Sequence, residues 1–198
     1  MTTISTDDVK LLRDQTGISV MQCKKALEEA GGDMNKALAI LKRKSADIAL
    51  KKGDRTLGSG TIAAYVHGAG TVGVMLLLKC ETDFVAKNED FRQMAYDLAM
   101  HVAALNPEFI SEKAVSEDVK NELLAQFEKE VAALDKPAEV KAKIIESKLE
   151  TYIKERTLLG QPFVKDGSTP VSQLITEAVQ KFGENIEVGH FTRYVNTQ

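Results

Sequence analysis

The sequence contains no tryptophan, and aromatic residues make up only 6% of its 198 positions. Its core must therefore be mostly aliphatic. Long apolar runs are also missing: Val74 to Leu78 falls far short of the roughly 20 residues that a membrane span needs. Met1 to Ser5 carry neither a basic stretch nor an apolar core, so no export signal is visible. We expect a cytoplasmic protein with no membrane partner.

Cysteine and histidine are scarce. Cys23 and Cys80 are the only cysteines, and without an export signal we expect reduced thiols that are buried as small hydrophobic residues. None of the three histidines, His67, His101 and His190, has a partner His or Cys at ligand spacing. We therefore expect no metal site and no cofactor. A nucleophilic pair of Cys80 with a histidine stays open, but no local pattern favours it.

Charge is unevenly spread along the chain, whose net charge is −3. Residues 1–55 hold 11 Lys and Arg against 8 Asp and Glu, whereas the remainder holds 15 against 21. The basic residues gather late in the first segment, at Lys42, Arg43, Lys44, Lys51, Lys52 and Arg55. A nucleic-acid-binding adaptor is one interpretation. Because no aromatic residue is interleaved, we favour a solvated helix face or a linker, with no direct nucleic-acid partner.

The first segment is predicted to form three short helices. Capping residues stand at Ser5, Ser19 and Asp33, each followed by apolar residues at helical spacing. Gly17 and the pair Gly31-Gly32 end the first two helices. We interpret residues 51–60 as a linker, with a domain boundary near residue 54. The predicted domains are 1–54 and 55–198.

The remainder predicts an α+β domain. A hairpin is indicated by two strand-like runs that flank a glycine-rich loop, and a strong helix follows. Two helices with dense alternating charge suit a solvated antiparallel pair. The chain closes with one more helix and a strand-like tail. These elements are expected at 61–67, 72–80, 91–104, from Ser116, from Pro137, from Pro170 and at 186–195. Together they predict a small antiparallel sheet packed on helices.

The loop Gly68-Ala69-Gly70-Thr71-Val72-Gly73 matches the G-x-G-x-x-G dinucleotide pattern. That pattern needs a helix to begin at the glycines, so that its N-terminus faces a pyrophosphate. The residues that follow resemble a strand, which favours a hairpin loop. A nucleotide-dependent enzyme that uses Gly68 to Gly73 stays as the alternative function, and cofactor titration would test it.

Phe84 lies in a polar junction between a strand-like run and a helix-like run. The junction reads Lys79-Cys80-Glu81-Thr82-Asp83-Phe84-Val85-Ala86-Lys87-Asn88. Neither neighbouring element needs this aromatic ring for its own apolar face. The ring is therefore either a plug for the local core or a wedge for a partner, since a few aromatic anchors carry most of the energy of an interface.

Four segments resemble elongation factor Ts in order along the chain. The first combines Val9-Lys10-Leu11-Leu12-Arg13, Thr16-Gly17 and Met21-Gln22-Cys23-Lys24-Lys25-Ala26-Leu27. The second is Cys80 to Lys87, and the third combines Met100 to Ala104 with Pro107 to Ile110. The fourth is Gly160 to Lys165. The resemblance implies a non-enzymatic protein that exchanges guanine nucleotide on the GTPase elongation factor Tu.

The resemblance also assigns roles to residues of the junction. Phe84 would push between two helices of the GTPase, and Asp83 would belong to the part that disturbs its Mg²⁺ site. Thr82 and Val85 flank them. These roles are implied by position in the matching motif alone.

Further contacts follow from the same resemblance. Residues 1–54 would form a ubiquitin-associated-like module that docks on the GTPase domain through Leu12, Val20 and Met21. His67 resembles a contact near the phosphate loop of the GTPase. Long members of the family carry two copies of the core half, whereas this chain shows one unit of hairpin and helix. That difference suggests a homodimer, in which two chains rebuild a two-copy core.

Overall fold

The computed structural model describes residues 4–196. Its elements are α1 (Thr6–Thr16), α2 (Val20–Glu29), α3 (Met34–Lys52), β1 (Ser59–His67), β2 (Val72–Cys80), α4 (Asp83–Ala86), α5 (Glu89–Leu105), α6 (Glu117–Ala132), α7 (Ala138–Arg156), α8 (Val171–Phe182) and β3 (Ile186–Val195). Short 3₁₀ turns lie at Glu112–Ala114 and Leu158–Gly160. Within the described residues, no helix is long and apolar enough to cross a membrane.

The predicted caps of the N-terminal helices are confirmed. The side chains of Ser5, Ser19 and Asp33 accept hydrogen bonds from the backbone N–H groups three residues later, at 3.1, 3.4 and 3.0 Å. These bonds satisfy donors that have no partner within the helix. Gly17 ends α1 with φ 67°, in the left-handed conformation that favours glycine.

Helix α3 is longer than expected. We predicted a linker from residue 51, whereas the helix continues through Lys52. Leu41 and Ser45 are buried on the packed face of α3. The basic residues between them lie on its solvated face. Arg43 and Lys44 both reach Glu29 on α2, at 3.4 and 2.6 Å.

The three N-terminal helices enclose a hydrophobic core of their own. Its buried members all come from this segment: Val9, Leu12, Ile18, Cys23, Ala26, Leu27, Ala37 and Leu41. The predicted burial of Cys23 is confirmed here, and that of Cys80 at the end of β2.

The expected α+β fold is also confirmed. The sheet is antiparallel, with the strand order β1-β2-β3. Side chains alternate along β2: Val74, Leu76 and Leu78 are buried, whereas Met75 is exposed. The strands of the hairpin approach closely at Gly60, where a Cβ would lie 2.6 Å from the carbonyl oxygen of Leu78.

The glycine-rich loop is a hairpin turn. Gly68 and Gly70 have φ 57° and 87°, and the Gly70 N–H donates to the carbonyl of His67 at 3.3 Å. Strand β2 begins at Val72, where the dinucleotide motif would need a helix. The alternative of a nucleotide-dependent enzyme that uses this loop therefore lacks the helix N-terminus that would face the pyrophosphate.

The chain divides into two compact units. One holds the residues up to 63 together with 76–96 and 173–189, and the other holds 64–75, 97–172 and the residues from 190 on. In the second unit, α6 and α7 pair through Phe127 and Tyr152, whose rings meet edge to face, and through Lys148 and Glu130 at 2.5 Å. The predicted charged helical pair is therefore present.

His101 is a fully buried histidine of the second unit. Its Nδ1 accepts the Val164 N–H at 3.1 Å, which leaves Nε2 to donate to the Gln161 side-chain oxygen at 2.9 Å. The imidazole also stacks on Phe163. These contacts describe a neutral histidine that helps to hold the fold together.

Candidate partner-binding site

The side chain of Phe84 is 82% exposed on α4, a helix of four residues. The next side chain, Val85, is buried and anchors the helix to the protein. An isolated helix of this length has no stability of its own, so its surroundings must hold it in place. The exposure removes one of the two sequence interpretations, because Phe84 is not a plug for the local core.

Thr82 begins α4 as its N-cap. Its backbone is extended, with φ −122° and ψ 157°, and its hydroxyl oxygen accepts the N–H of Val85 at 3.4 Å. At the other end, the side chain of Asn88 accepts the Asp90 N–H at 2.9 Å, which starts α5. The two caps isolate α4 as a separate turn that carries Phe84 at its surface.

Asp83 presents a carboxylate beside Phe84. Its side chain is exposed and pairs with Lys87 at 2.6 Å, one helical turn later. The hydrogen bond from Lys87, together with the Lys87 charge, lowers the pKa of Asp83 below its ordinary value. Asp83 and Phe84 thus place an ionised carboxylate next to an exposed ring.

Glu184 holds the start of this junction and was not anticipated from the sequence. One oxygen of its carboxylate accepts the backbone N–H groups of Glu81 and Thr82, both at 3.0 Å. The other accepts the hydroxyl of Thr82 at 2.6 Å. No pattern within the sequence connects positions so far apart in the chain.

Glu81 and Asn185 complete a reciprocal set of bonds. The Asn185 N–H donates to the Glu81 carboxylate at 2.6 Å, and Arg55 approaches the same carboxylate at 3.4 Å. The bond from Asn185, with the Arg55 charge in support, lowers the pKa of Glu81. Nearby, the thiol of Cys80 donates to the Thr82 carbonyl at 3.2 Å. Burial, followed by the charge of Glu184, raises the pKa of this thiol.

The three apolar docking positions of the N-terminal segment differ in exposure. Val20 is 52% and Met21 is 70% exposed at the start of α2. Leu12 has no exposed surface, because it faces the core between the helices. Its neighbour Leu11 is half exposed instead. The expectation of a direct contact therefore needs correction at Leu12, which belongs to the core of the N-terminal helices.

His67 lies at the end of β1 in the second unit. Its side chain is exposed, and its Nδ1 lies 3.0 Å from the hydroxyl of Tyr65. This hydrogen bond orients the imidazole beside the glycine-rich turn. The ring is accessible to a partner, as its predicted role requires.

Comparison with known proteins places these features in a family. The family model described as elongation factor TS matches residues 45–198. Elongation factor Ts of Desulforamulus reducens is 44% identical over 194 residues, which cover 98% of this chain and 89% of the relative. Elongation factor Ts of Thermotoga petrophila is 47% identical over 194 residues, covering 96% of this chain and 95% of the relative.

The chain belongs to the elongation factor Ts family.

Elongation factor Ts is a nucleotide exchange factor for elongation factor Tu, and it is not an enzyme. The family match includes the junction at Thr82 to Val85 and also Glu184, since both lie within residues 45–198. The relatives extend the similarity to the N-terminal helices, because they cover nearly the whole chain.

Most of the basic residues that gather late in the first segment have partners within the protein. Arg43 and Lys44 pair with Glu29, Arg55 pairs with Glu81, and Lys52 donates to the Gly183 carbonyl at 2.6 Å. Much of this charge is thus used within the protein, which weakens the nucleic-acid interpretation.

Among residues 4–196, no group of three or more His, Cys, Asp or Glu side chains is arranged to hold a metal ion.

Proposed function

We propose that this protein binds elongation factor Tu–GDP and promotes release of GDP by inserting Phe84 into the GTPase domain. In this proposal the ring enters between two helices of the GTPase, Asp83 disturbs the Mg²⁺ site, and GTP then rebinds. The observation that supports it most directly is the exposure of Phe84 on a short helix that is held from below by Val85. A large ring in this position gains a substantial binding energy only when a partner covers it.

Exchange of this kind needs no catalytic residue. It is a coupling of two binding equilibria: whatever weakens GDP on the GTPase must weaken this protein by the same factor when GDP is bound. Mg²⁺ bridges the phosphates of the nucleotide and neutralises their charge, so its loss weakens GDP binding. Burial of the Phe84 ring supplies binding energy that offsets this loss.

Asp83 gives the wedge its charge. A carboxylate brought near the Mg²⁺ site can compete for the ion or displace its ligands. The Lys87 ammonium holds the carboxylate of the free protein ionised. Asp83→Asn keeps the shape and removes the charge, so slower exchange by this variant would separate the contribution of charge from that of the ring.

The N-terminal helices are proposed to dock on the GTPase domain through Val20 and Met21. Both side chains are exposed and adjacent in sequence, whereas Leu12 is buried in the core of the N-terminal helices. We expect Met21→Ala to weaken binding of the GTPase. Leu50→Ala is the matched control, because Leu50 is also largely exposed but is not among the docking positions. His67 remains the proposed contact near the phosphate loop.

The proposal includes a homodimer. Within residues 4–196, one hairpin and one C-terminal strand form the sheet, and β1 and β3 are its outer strands. On the hairpin, Val66 and Met75 are 65% and 53% exposed. Exposed edges and apolar strand faces favour association, so a second copy of this face is the proposed cover.

Release of labelled GDP from elongation factor Tu tests the function directly. The rate is measured with and without this protein, in the presence of excess unlabelled nucleotide. We expect release to accelerate with protein concentration and Phe84→Ala to reduce the effect. An unchanged rate with the wild-type protein would contradict the proposed function. The cytoplasm remains the expected location.

A further inference from the structure

Glu184 follows the end of α8, and its side chain reaches the residues just before α4, the helix that carries Phe84. Helix α8 ends at Phe182, and Gly183 turns the chain with φ 73°, its N–H donating to the Val179 carbonyl at 3.0 Å. The ammonium group of Lys52 donates to the Gly183 carbonyl at 2.6 Å. These bonds fix the turn that directs the half-buried side chain of Glu184 toward the junction before α4.

The carboxylate of Glu184 accepts three hydrogen bonds from two residues, Glu81 and Thr82. Bonds to an ionised acceptor are stronger than those between neutral groups. Two of the donors are backbone N–H groups immediately before α4, so they set the direction in which the chain enters the helix. The third is the hydroxyl that caps it.

The hydroxyl of Thr82 shows how Glu184 acts on the helix. An ionised carboxylate can only accept, so the hydroxyl hydrogen must point to Glu184 at 2.6 Å. The oxygen is then free to accept the N–H of Val85, which it does at 3.4 Å. Glu184 therefore orients the capping group of the helix that carries Phe84.

We propose that Glu184 is a positioning residue for Phe84, holding Glu81 and Thr82 so that α4 presents the exposed ring outward. The role in nucleotide exchange rests on the proposed function above. Phe84 is 82% exposed, so most of its side chain faces solvent. Its direction must come from the backbone of α4, and a helix of four residues depends on such external bonds.

The structural part of this proposal is tested without a partner. We expect Glu184→Ala to accelerate hydrogen exchange at the amides of Glu81 and Thr82 by about tenfold or more, because both lose their acceptor. The amide of Asp90, which is bonded to Asn88, serves as an internal reference that should not change. Unchanged exchange at residues 81 and 82 would overturn the proposal.

The functional part is tested by a double-mutant cycle on GDP release. At subsaturating concentration, we expect Glu184→Ala to slow release by about tenfold, the effect of losing charge-assisted hydrogen bonds. Glu184→Gln keeps an acceptor and the side-chain shape, so a smaller effect is expected. Glu146→Ala removes an exposed carboxylate from α7 and is the matched control.

Coupling between the two positions decides the role of Glu184. If Glu184 acts by placing the ring, its loss should add little to a protein that already carries Phe84→Ala. Full additivity of the two effects would show that Glu184 acts otherwise. Thermal unfolding of each variant is measured alongside, and a loss of activity explained by unfolding of Glu184→Gln would also overturn the proposal.

Failure of the proposed function gives a different result. In that case the wild-type protein does not accelerate GDP release, and the variants cannot differ in that assay. Amide exchange at residues 81 and 82 still decides whether Glu184 holds the junction.

Discussion

Phe84 and Phe91 belong to neighbouring helices and differ completely in exposure. Phe91 is fully buried and meets Phe182 edge to face, with ring centroids 5.8 Å apart, whereas Phe84 extends from α4 into solvent. Both side chains are phenylalanine rings, but one is exposed to solvent and the other is buried in the core. They therefore form a natural pair for separating a contribution to the fold from a contribution to a partner.

Phe84→Ala should slow GDP release by at least about tenfold, which corresponds to about 1.4 kcal/mol. An aromatic anchor at an interface hot spot typically contributes about 2–4 kcal/mol, so this is a conservative value. The melting temperature should change little, because the ring has few contacts to lose. Stopped-flow measurement of labelled GDP, together with thermal unfolding, checks both expectations.

Phe91→Ala is the matched control for that variant. Removal of a buried phenylalanine typically costs about 3–5 kcal/mol of folding stability. This control should therefore show a large drop in melting temperature. If Phe84→Ala instead behaved like it, and the surviving folded protein exchanged nucleotide normally, the wedge assignment would be wrong.

His101 should make stability depend on pH in a predictable direction. Burial lowers its pKa, although the hydrogen bond to Gln161 opposes the shift. The unfolded histidine takes up a proton near pH 6.5, whereas the folded one stays neutral to lower pH. The free energy of unfolding should therefore fall as pH decreases below about 6.5, by at most about 1.4 kcal/mol per pH unit.

Urea denaturation between pH 7.5 and 5.5 checks this prediction. His101→Gln removes the titrating group and should flatten the pH dependence in that window. His190→Gln is the control, because His190 is exposed. Equal slopes for the wild-type protein and His101→Gln would contradict the assignment.

At the scale of elements, the N-terminal helices have a core that draws all its buried members from their own segment. Their ties to the residues that follow in the same unit include polar bonds, such as Gln180 to Gln22 at 2.9 Å and Lys52 to Gly183. The compact unit that contains these helices also includes 76–96 and 173–189, so the division near residue 54 stays a prediction from the sequence. Whether the parts fold separately remains a prediction.

A truncated chain of residues 55–198 should remain folded and bind the GTPase more weakly. The buried members of the N-terminal cluster all lie in the removed segment, so that cluster is removed as a whole, together with the exposed Val20 and Met21. Circular dichroism and titration calorimetry with elongation factor Tu measure the two effects. An affinity equal to that of the full chain would refute the docking assignment, and loss of cooperative unfolding would refute the domain boundary.

At the scale of the whole molecule, we expect a homodimer at micromolar concentration. The exposed side chains of Val66 and Met75 on the hairpin supply apolar area, and β1 and β3 are the outer strands of the sheet. Light scattering should give about twice the chain mass of 21.7 kDa. A mass near 21.7 kDa at micromolar concentration and above would contradict the dimer.

Val66→Lys should shift that equilibrium toward the monomer. Val66 is exposed in the single chain, so the change should preserve the fold while placing an unpaired charge in the proposed interface. Val140→Lys is the control, because Val140 is partly exposed on α7. A dimer that tolerates Val66→Lys would mean that another surface holds the two chains together.

The sequence by itself determined the local elements. Ser5, Ser19 and Asp33 begin helices, and Gly17 and Gly183 end them, because caps and left-handed turns depend on residues only a few positions apart. Two strand-like runs around a glycine-rich loop specified the hairpin for the same reason. Four motifs in order along the chain also indicated the family, since the residues of each motif lie close together in the chain.

Only the tertiary structure decided which of these residues face solvent. Local spacing cannot distinguish Leu12, which is buried between helices, from Val20 and Met21, which are exposed. It likewise left the ring of Phe84 as either plug or wedge. Glu184 was invisible to the sequence pattern because its partners, Glu81 and Thr82, come within hydrogen-bond distance only when the chain folds. Burial and long-range hydrogen bonds depend on packing between distant segments, and no local pattern encodes them.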